Sequence, residues 1–252
     1  LGSIARLLGN NGQATEYFEH SIHLFKRLED IWAAGECLFN LGHLLHDNAE
    51  YERAQAMFEQ CLSICTDLES QEGRASALLG LGSVARDRKD YQQAQKLLNQ
   101  CLDIWRELNE PLFLAGALEE LGYVEIEMDN LEQARACFSE SLQIRQTQND
   151  RLGVIWIIEA VAVTEVVCRH YDQAQTLFAA ADRFRHDIHT PRPRAEQQRL
   201  DPFLDVLKQH TNNDNVTIQP IQTMEQVISH IFDLLNTNTT NDYVIPNVIQ
   251  CS

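Results

Sequence analysis

Leu1, Leu41, Leu81 and Leu121 stand forty residues apart, each followed by glycine, and Ala14, Ala54, Ala94, Ala134 and Ala174 keep the same step. Further columns share the register: Phe18, Phe58, Leu98, Phe138 and Phe178; Leu38, Leu78, Leu118 and Ile158; Tyr51, Tyr91, Leu131 and Tyr171. Self-similarity at a fixed period restricts the chain to an array in which each unit buries its apolar face against its neighbours. Function in such an array is expected on a repeated surface rather than in one catalytic cleft.

Within a unit the apolar residues recur at helical spacing, as in Leu38, Leu41 and Leu45, then Tyr51, Ala54, Phe58 and Leu62, which predicts two amphipathic helices. The glycine column (Gly2, Gly42, Gly82, Gly122) falls inside the first helix. Glycine there costs about 1 kcal/mol against alanine, so a close approach by the partner helix is expected. Asn10, Asp90 and Asn130 are each followed three residues later by Gln13, Gln93 and Gln133, the side-chain pattern of a capping box opening the second helix. Glu50 and His170 fill that slot less well.

Leucine and glycine in the first helix (A), then aromatic, alanine and aromatic in the second (B), resemble the tetratricopeptide repeat over about residues 1 to 187. The period exceeds the roughly 34 residues usual for that repeat, and the proline that often closes it is missing, so lengthened helices are expected. The resemblance implies an all-α fold: a right-handed superhelical solenoid of antiparallel helix pairs with a C-terminal capping helix region. Pairs are read at 1–28, with its first helix truncated, then 31–68, 71–108, 111–148 and 151–188, making 1–188 the repeat region.

The 252 residues include 37 acidic and 20 basic side chains, a net charge of −17, which repels phosphate backbones and argues against nucleic acid as a partner. A hydrophobic content of 44% is enough for a core. The longest apolar stretch, Val154 to Cys168, contains Glu159 and Glu165 and reads as a buried helix rather than a membrane span. The chain opens on Leu-Gly already in register, without a signal peptide, as a fragment of something longer would. Its seven cysteines are an odd number. Cys61 and Cys101 share a slot with Ser21, Ser141 and Ala181, which asks for a small side chain, so reduced core fillers and a cytoplasmic location are expected. Cys61 and Cys65, one helical turn apart, with His43 and His46 near in sequence, would be the ligands of any zinc site. The core-filler reading is preferred, and no metal or cofactor is expected.

After the repeats, Pro191 and Pro193 precede a helix of about 194 to 210 with Leu200, Phe203, Leu204 and Leu207 as its apolar face. A polar stretch, Thr211 to Thr217, leads to a second helix near 223 to 235, with Met224, Val227, Ile228, Ile231 and Leu235 facing inward. Residues 189–235 are therefore expected to cap the array, and 236–252 to form a flexible tail. Arg183, Arg185, Arg192, Arg194 and Arg199 form either a solvated face balancing the acidic repeats or a docking surface for an acidic partner.

The segments "AQTLFAAADRFR", "TPRPRAEQQR" and "TMEQVISHIF" resemble the C-terminal end of bacterial signal-transduction ATPases of the LuxR, AfsR and MalT type, although "TNNDNVTIQP" stands where such proteins carry an aromatic, alanine-rich segment. In that family a nucleotide-switch module precedes a tetratricopeptide sensor arm. The resemblance implies a non-enzymatic scaffold that binds a protein, peptide or small inducer on its concave face and restrains a switch in N-terminal domains outside this sequence. The helix A positions of that face are Glu36, Phe39, His43 and Asp47; Ser76, Leu79, Ser83 and Asp87; Glu119, Tyr123 and Glu127; Trp156, Glu159 and Val163. Acidic and aromatic together, they suit a cationic partner with an apolar or aromatic anchor. The alternative is an independent adapter for a peptide or protein. A clamp on a peptide carboxylate needs cations, and Phe39, Leu79, Glu119 and Glu159 supply none. No phosphate loop of the form G-x-x-x-x-G-K-[ST] and no nucleophile-elbow context is present, so no catalytic residues are expected.

Overall fold

The computed structural model describes residues 1–7, 10–192, 194–210 and 223–236. The expected linker at Thr211 to Thr217 and the tail beyond residue 236 lie outside them. The described residues hold helices and no strand: α1 (Gly2–Leu7), α2 (Asn11–Arg27), α3 (Ile31–Asp47), α4 (Tyr51–Asp67), α5 (Gln71–Asp87), α6 (Tyr91–Leu108), α7 (Pro111–Glu127), α8 (Leu131–Thr147), α9 (Arg151–Val167), α10 (Tyr171–Asp187), α11 (Arg194–His210) and α12 (Met224–Asn236).

The period has a simple origin. Helices α3, α4 and α5 each run 17 residues, and three-residue turns separate them, so two helices and two turns make forty. Among the described residues, the turns that follow α2 to α10 end their helices the same way. Glu29, Ala49, Glu69, Lys89, Asn109, Asp129, Asn149, Arg169 and His189 all adopt a left-handed φ between 53° and 65°. At Ala49 the amide donates to His46 O (2.8 Å) and the Glu50 amide to Leu45 O (2.9 Å). This is the Schellman pairing, which satisfies carbonyls that the helix end would otherwise leave orphaned. Tight reversal after each helix lays consecutive helices antiparallel.

The starts of the helices are capped differently from the sequence pattern. Of the three expected caps on B helices, only Asp90 accepts a hydrogen bond, from Gln93 N (3.2 Å); Asn10 and Asn130 make no such bond. Asn130 is instead drawn to Glu125, its Nδ2 donating to Oε2 at 2.8 Å. The A helices carry the caps: Asp30 accepts from Ala33 N, Ser70 from Gly73 N and Asp150 from Gly153 N. At α12 the box is reciprocal, with Thr223 N donating to Gln226 Oε1 and Gln226 N to Thr223 Oγ1.

The glycine column is where A and B helices of one pair meet. A Cβ on Gly42 would lie 2.7 Å from the Phe58 ring, and one on Gly122 would lie 2.4 Å from the Phe138 ring. On Gly82 it would lie 2.8 Å from Leu98, and on Gly2 2.9 Å from Phe18. These distances are well inside carbon–carbon contact, so the glycine and aromatic columns are two halves of one packing device.

The chain divides into two compact units within α7, residues 1–120 and 121–252. In unit 1 the core gathers Leu41, Leu44, Leu45, Phe58 and Leu81. Unit 2 is built on α9, whose residues from Gly153 to Val167 are buried save Trp156. Helices α11 and α12 add Leu200, Val206, Leu207, Val227, Ile231 and Leu235 to that core. Pro202 sits inside α11, where it removes one backbone donor.

Candidate functional site

In unit 1, the last turns of α4 and α6 and the first turns of α3, α5 and α7 enclose a groove of about 300 Å³. Its apolar walls are Trp32 and Phe39 from α3, Ile64 and Leu68 from the end of α4, Trp105 from α6 and Phe113 from α7. Trp105 is buried and stacks on Phe113, with centroids 4.7 Å apart and planes at 15°. Gly35 and Gly73 line the groove too, and both are tight against α4. A Cβ on Gly73 would stand 2.4 Å from Cys65 Sγ, and one on Gly35 3.2 Å from Ile64 Cγ2. Cys61 and Cys65 also line it, their sulfurs 3.9 Å apart. Burial pushes the Cys61 thiol up to about 12, with Cys65 adding to the rise, so this wall is protonated and uncharged.

The charged lining is Glu36, Glu72 and Glu110, and among the described residues no lysine or arginine contributes. Two arginines elsewhere in unit 1 are paired with other carboxylates. Arg86 pairs with Asp87 (2.8 Å) and with Glu120, and Arg53 pairs with Glu19 and Glu50. Burial alone would raise Asp87, but the hydrogen bond to His46 (2.8 Å) and the Arg86 guanidinium outweigh it and hold the carboxyl well below the usual carboxylate range.

Unit 2 uses its charges internally. Glu159, 3% exposed, accepts from Arg185 Nε at 2.8 Å and Nη2 at 2.9 Å, and from Arg192 Nη2 at 2.8 Å. Arg185 also donates to Glu196 and Arg192 to Asp182. Desolvation opposes the charge on both guanidiniums, yet the bonds to Glu159 prevail and raise them. Arg199 lies over the Tyr123 ring at 4.2 Å, and Arg145 over Trp156 at 5.2 Å. Glu165, the other carboxylate inside the apolar stretch, binds His170 Nδ1 at 2.7 Å and faces Arg135 at 3.7 Å.

The sequence-derived candidates thus separate. Glu36 and Phe39 line the unit 1 groove, with Ser76 beside them. His43 and Phe39 pack edge-on at 4.5 Å and both approach Phe58. Ser83 Oγ donates to Leu79 O and to Glu120 Oε2. Asp47 is exposed, Leu79 and Glu127 are half-buried, and Glu119 and Tyr123 are buried. Glu159 is turned into the arginine cluster, and Arg185, Arg192 and Arg199 of the basic segment pair with groups inside unit 2 rather than forming a purely solvated face. Trp32, Trp105, Phe113, Glu72 and Glu110 were missed by the sequence reading. A signal existed: Phe113 interrupts a column otherwise filled by Ala33, Gly73 and Gly153.

A family model described as tetratricopeptide repeat matches residues 37–72, and one described as anaphase-promoting complex subunit 5 matches residues 83–164. No curated protein matches the chain. Among solved structures it is similar to BtubC (BKLC) from P. vanneervenii, at 17% identity and a TM-score of 0.63, covering 77% of this chain and 81% of that one. It is similar to a Rap protein complexed with competence and sporulation factor, at 17% identity and a TM-score of 0.66, covering 93% of this chain and 61% of that one. A putative kinesin light chain from Podosopora anserina with nearly identical TPR-like repeats is similar at 15% identity and a TM-score of 0.59, covering 75% and 92%. Residues 37–72 match the tetratricopeptide repeat, and the helix-pair fold of the chain is shared with these structures. Among the described residues no helix is long and apolar enough to cross a membrane.

Proposed function

We propose that the chain is a non-enzymatic interaction arm that takes a peptide or protein segment into the unit 1 groove, and that it serves as the sensor or regulatory part of a larger cytoplasmic bacterial signalling ATPase. One observation carries the groove: Trp32 and Phe113 are 60% and 55% exposed while lining it, whereas Trp105, Phe58 and Phe138 are buried. Covering the exposed parts of the two rings would remove roughly 250 Å² of mostly apolar surface from water, about 6 kcal/mol before ordering costs. Glu36 and Phe39 are the proposed ligand contacts from the helix A series. The similar Rap protein was solved complexed with competence and sporulation factor, which supports the binding of a partner by this fold. The ATPase arm rests on the C-terminal sequence resemblance.

The groove is tested by selecting binders from a randomised blocked-peptide pool on immobilised wild type and on Trp32→Ala/Phe113→Ala, with helicity of both checked by circular dichroism. Wild type should retain peptides that the double variant loses, and equal retention refutes the assignment. The ATPase arm requires a phosphate-binding loop encoded upstream in the same reading frame; a start codon immediately before Leu1 refutes it.

A further inference from the structure

We propose that the unit 1 groove selects a basic, apolar segment, a lysine or arginine adjacent to a bulky apolar side chain; this rests on the groove being the binding surface. Two kinds of group meet there. Trp32, exposed over most of its surface, supplies an apolar wall and a π face, and Phe113 is backed by Trp105. Glu36, Glu72 and Glu110 supply negative charge, and none of the three has an arginine or lysine partner among the described residues.

The rest of the lining does not cancel those carboxylates. The Cys61 and Cys65 thiols are neutral, being raised by burial. Helix dipoles offset their charge only in part, because the C-terminal ends of α4 and α6 face the N-terminal ends of α3, α5 and α7, an excess of one N-terminus worth about half a positive charge against three carboxylates. The sign of the site is therefore set by the three glutamates, and the net charge of −17 reinforces it at long range. A cation between the carboxylates and the face of the Trp32 ring keeps part of its hydration in an open groove and gains both Coulomb and cation–π attraction. An acidic segment meets the same field as repulsion.

The test uses the peptides recovered from the pool on the intact chain. Those retained by wild type and lost by Trp32→Ala/Phe113→Ala should be enriched in lysine or arginine next to leucine, isoleucine or an aromatic. One such peptide, resynthesised with its basic residue replaced by glutamate, should bind at least tenfold more weakly, as repulsion replaces attraction at the three carboxylates. Glu36→Gln and Glu72→Gln, with helicity confirmed, should each weaken the parent peptide by up to about fivefold, and less at high salt. If the groove-dependent peptides are neutral or acidic, or if the glutamine variants bind as wild type does, the charge assignment is overturned while the groove stands. If no peptide separates wild type from Trp32→Ala/Phe113→Ala, both readings fall.

Discussion

Adding one methyl group to the glycine column should have opposite signs at two positions. At Gly122 a Cβ would stand 2.4, 2.7 and 2.9 Å from three atoms of the Phe138 ring, and that ring is fully buried. Relief requires the ring or helix α8 to move by about 1 Å, given carbon contacts near 3.5–4.0 Å. At Gly82 the new atom meets Leu98 Cδ2 and Cγ, both at 2.8 Å; Leu98 is fully buried too, but an aliphatic side chain yields by a small rotation about its own bonds more cheaply than a rigid phenyl ring moves. Alanine gains about 1 kcal/mol over glycine in a helix interior, and overpacking costs about 1–3 kcal/mol. Gly122→Ala should therefore be destabilised by about 0–2 kcal/mol, and Gly82→Ala should be neutral or stabilised by up to about 1 kcal/mol. The last repeat offers an internal control. It carries Ala162, buried and packed in the same core as Phe178, in the glycine slot, so Ala162→Gly should lose about 1 kcal/mol or more. Urea unfolding followed by circular dichroism, with slopes compared alongside midpoints, measures all three. A Gly122→Ala variant stabilised by the full propensity difference would show that helix contact at the glycine is not limiting.

Glu159→Ala leaves Arg185 and Arg192 without their shared carboxylate and should cost about 3–5 kcal/mol, while Glu159→Met/Arg185→Met should be much milder; equal losses would deny a buried pair its role. Asp87→Asn removes a carboxylate whose folded pKa is depressed, so its stabilisation is present above the unfolded value of about 3.9 and vanishes as pH falls through the lower folded one. The stability gap between wild type and Asp87→Asn should be about 1–3 kcal/mol at pH 7 and shrink steadily below about pH 4; a pH-independent gap excludes the linkage. Ala49→Gly, at a φ of 61°, relieves a left-handed alanine and should stabilise unit 1 by up to about 1 kcal/mol in thermal melts, unlike Ala54→Gly in mid-helix, which should do the reverse.

The periodicity of the chain already determined its helix pairs. Leu41, Ala54 and Phe58 repeat because each unit packs on a copy of itself, and the same packing makes glycine and aromatic columns co-occur, so local pattern and core are one signal. The cap residues were only half legible, since Asp, Asn and Ser invite a cap but neighbouring groups decide whether the side chain is free to make it, as Glu125 does for Asn130. Register places the helix A series on a single face and supports no more than that. Which carboxylates keep their charge for a ligand depends on cations remote in sequence: Arg192 reaches Glu159 from 33 residues away, and Arg86 reaches Glu120 from 34. Periodicity carries no information about such pairings, because Arg192 lies beyond the repeats and the slot of Arg86, shared with Arg6, holds His46, Ile126 and Val166 in the other repeats. The tertiary structure alone turned Glu159 inward and left Glu36, Glu72 and Glu110 beside Trp32 and Phe113. The physical reason is that a residue's slot in the repeat sets its direction from the helix, while the low dielectric and ion pairing of its surroundings set whether its charge is spent on the fold.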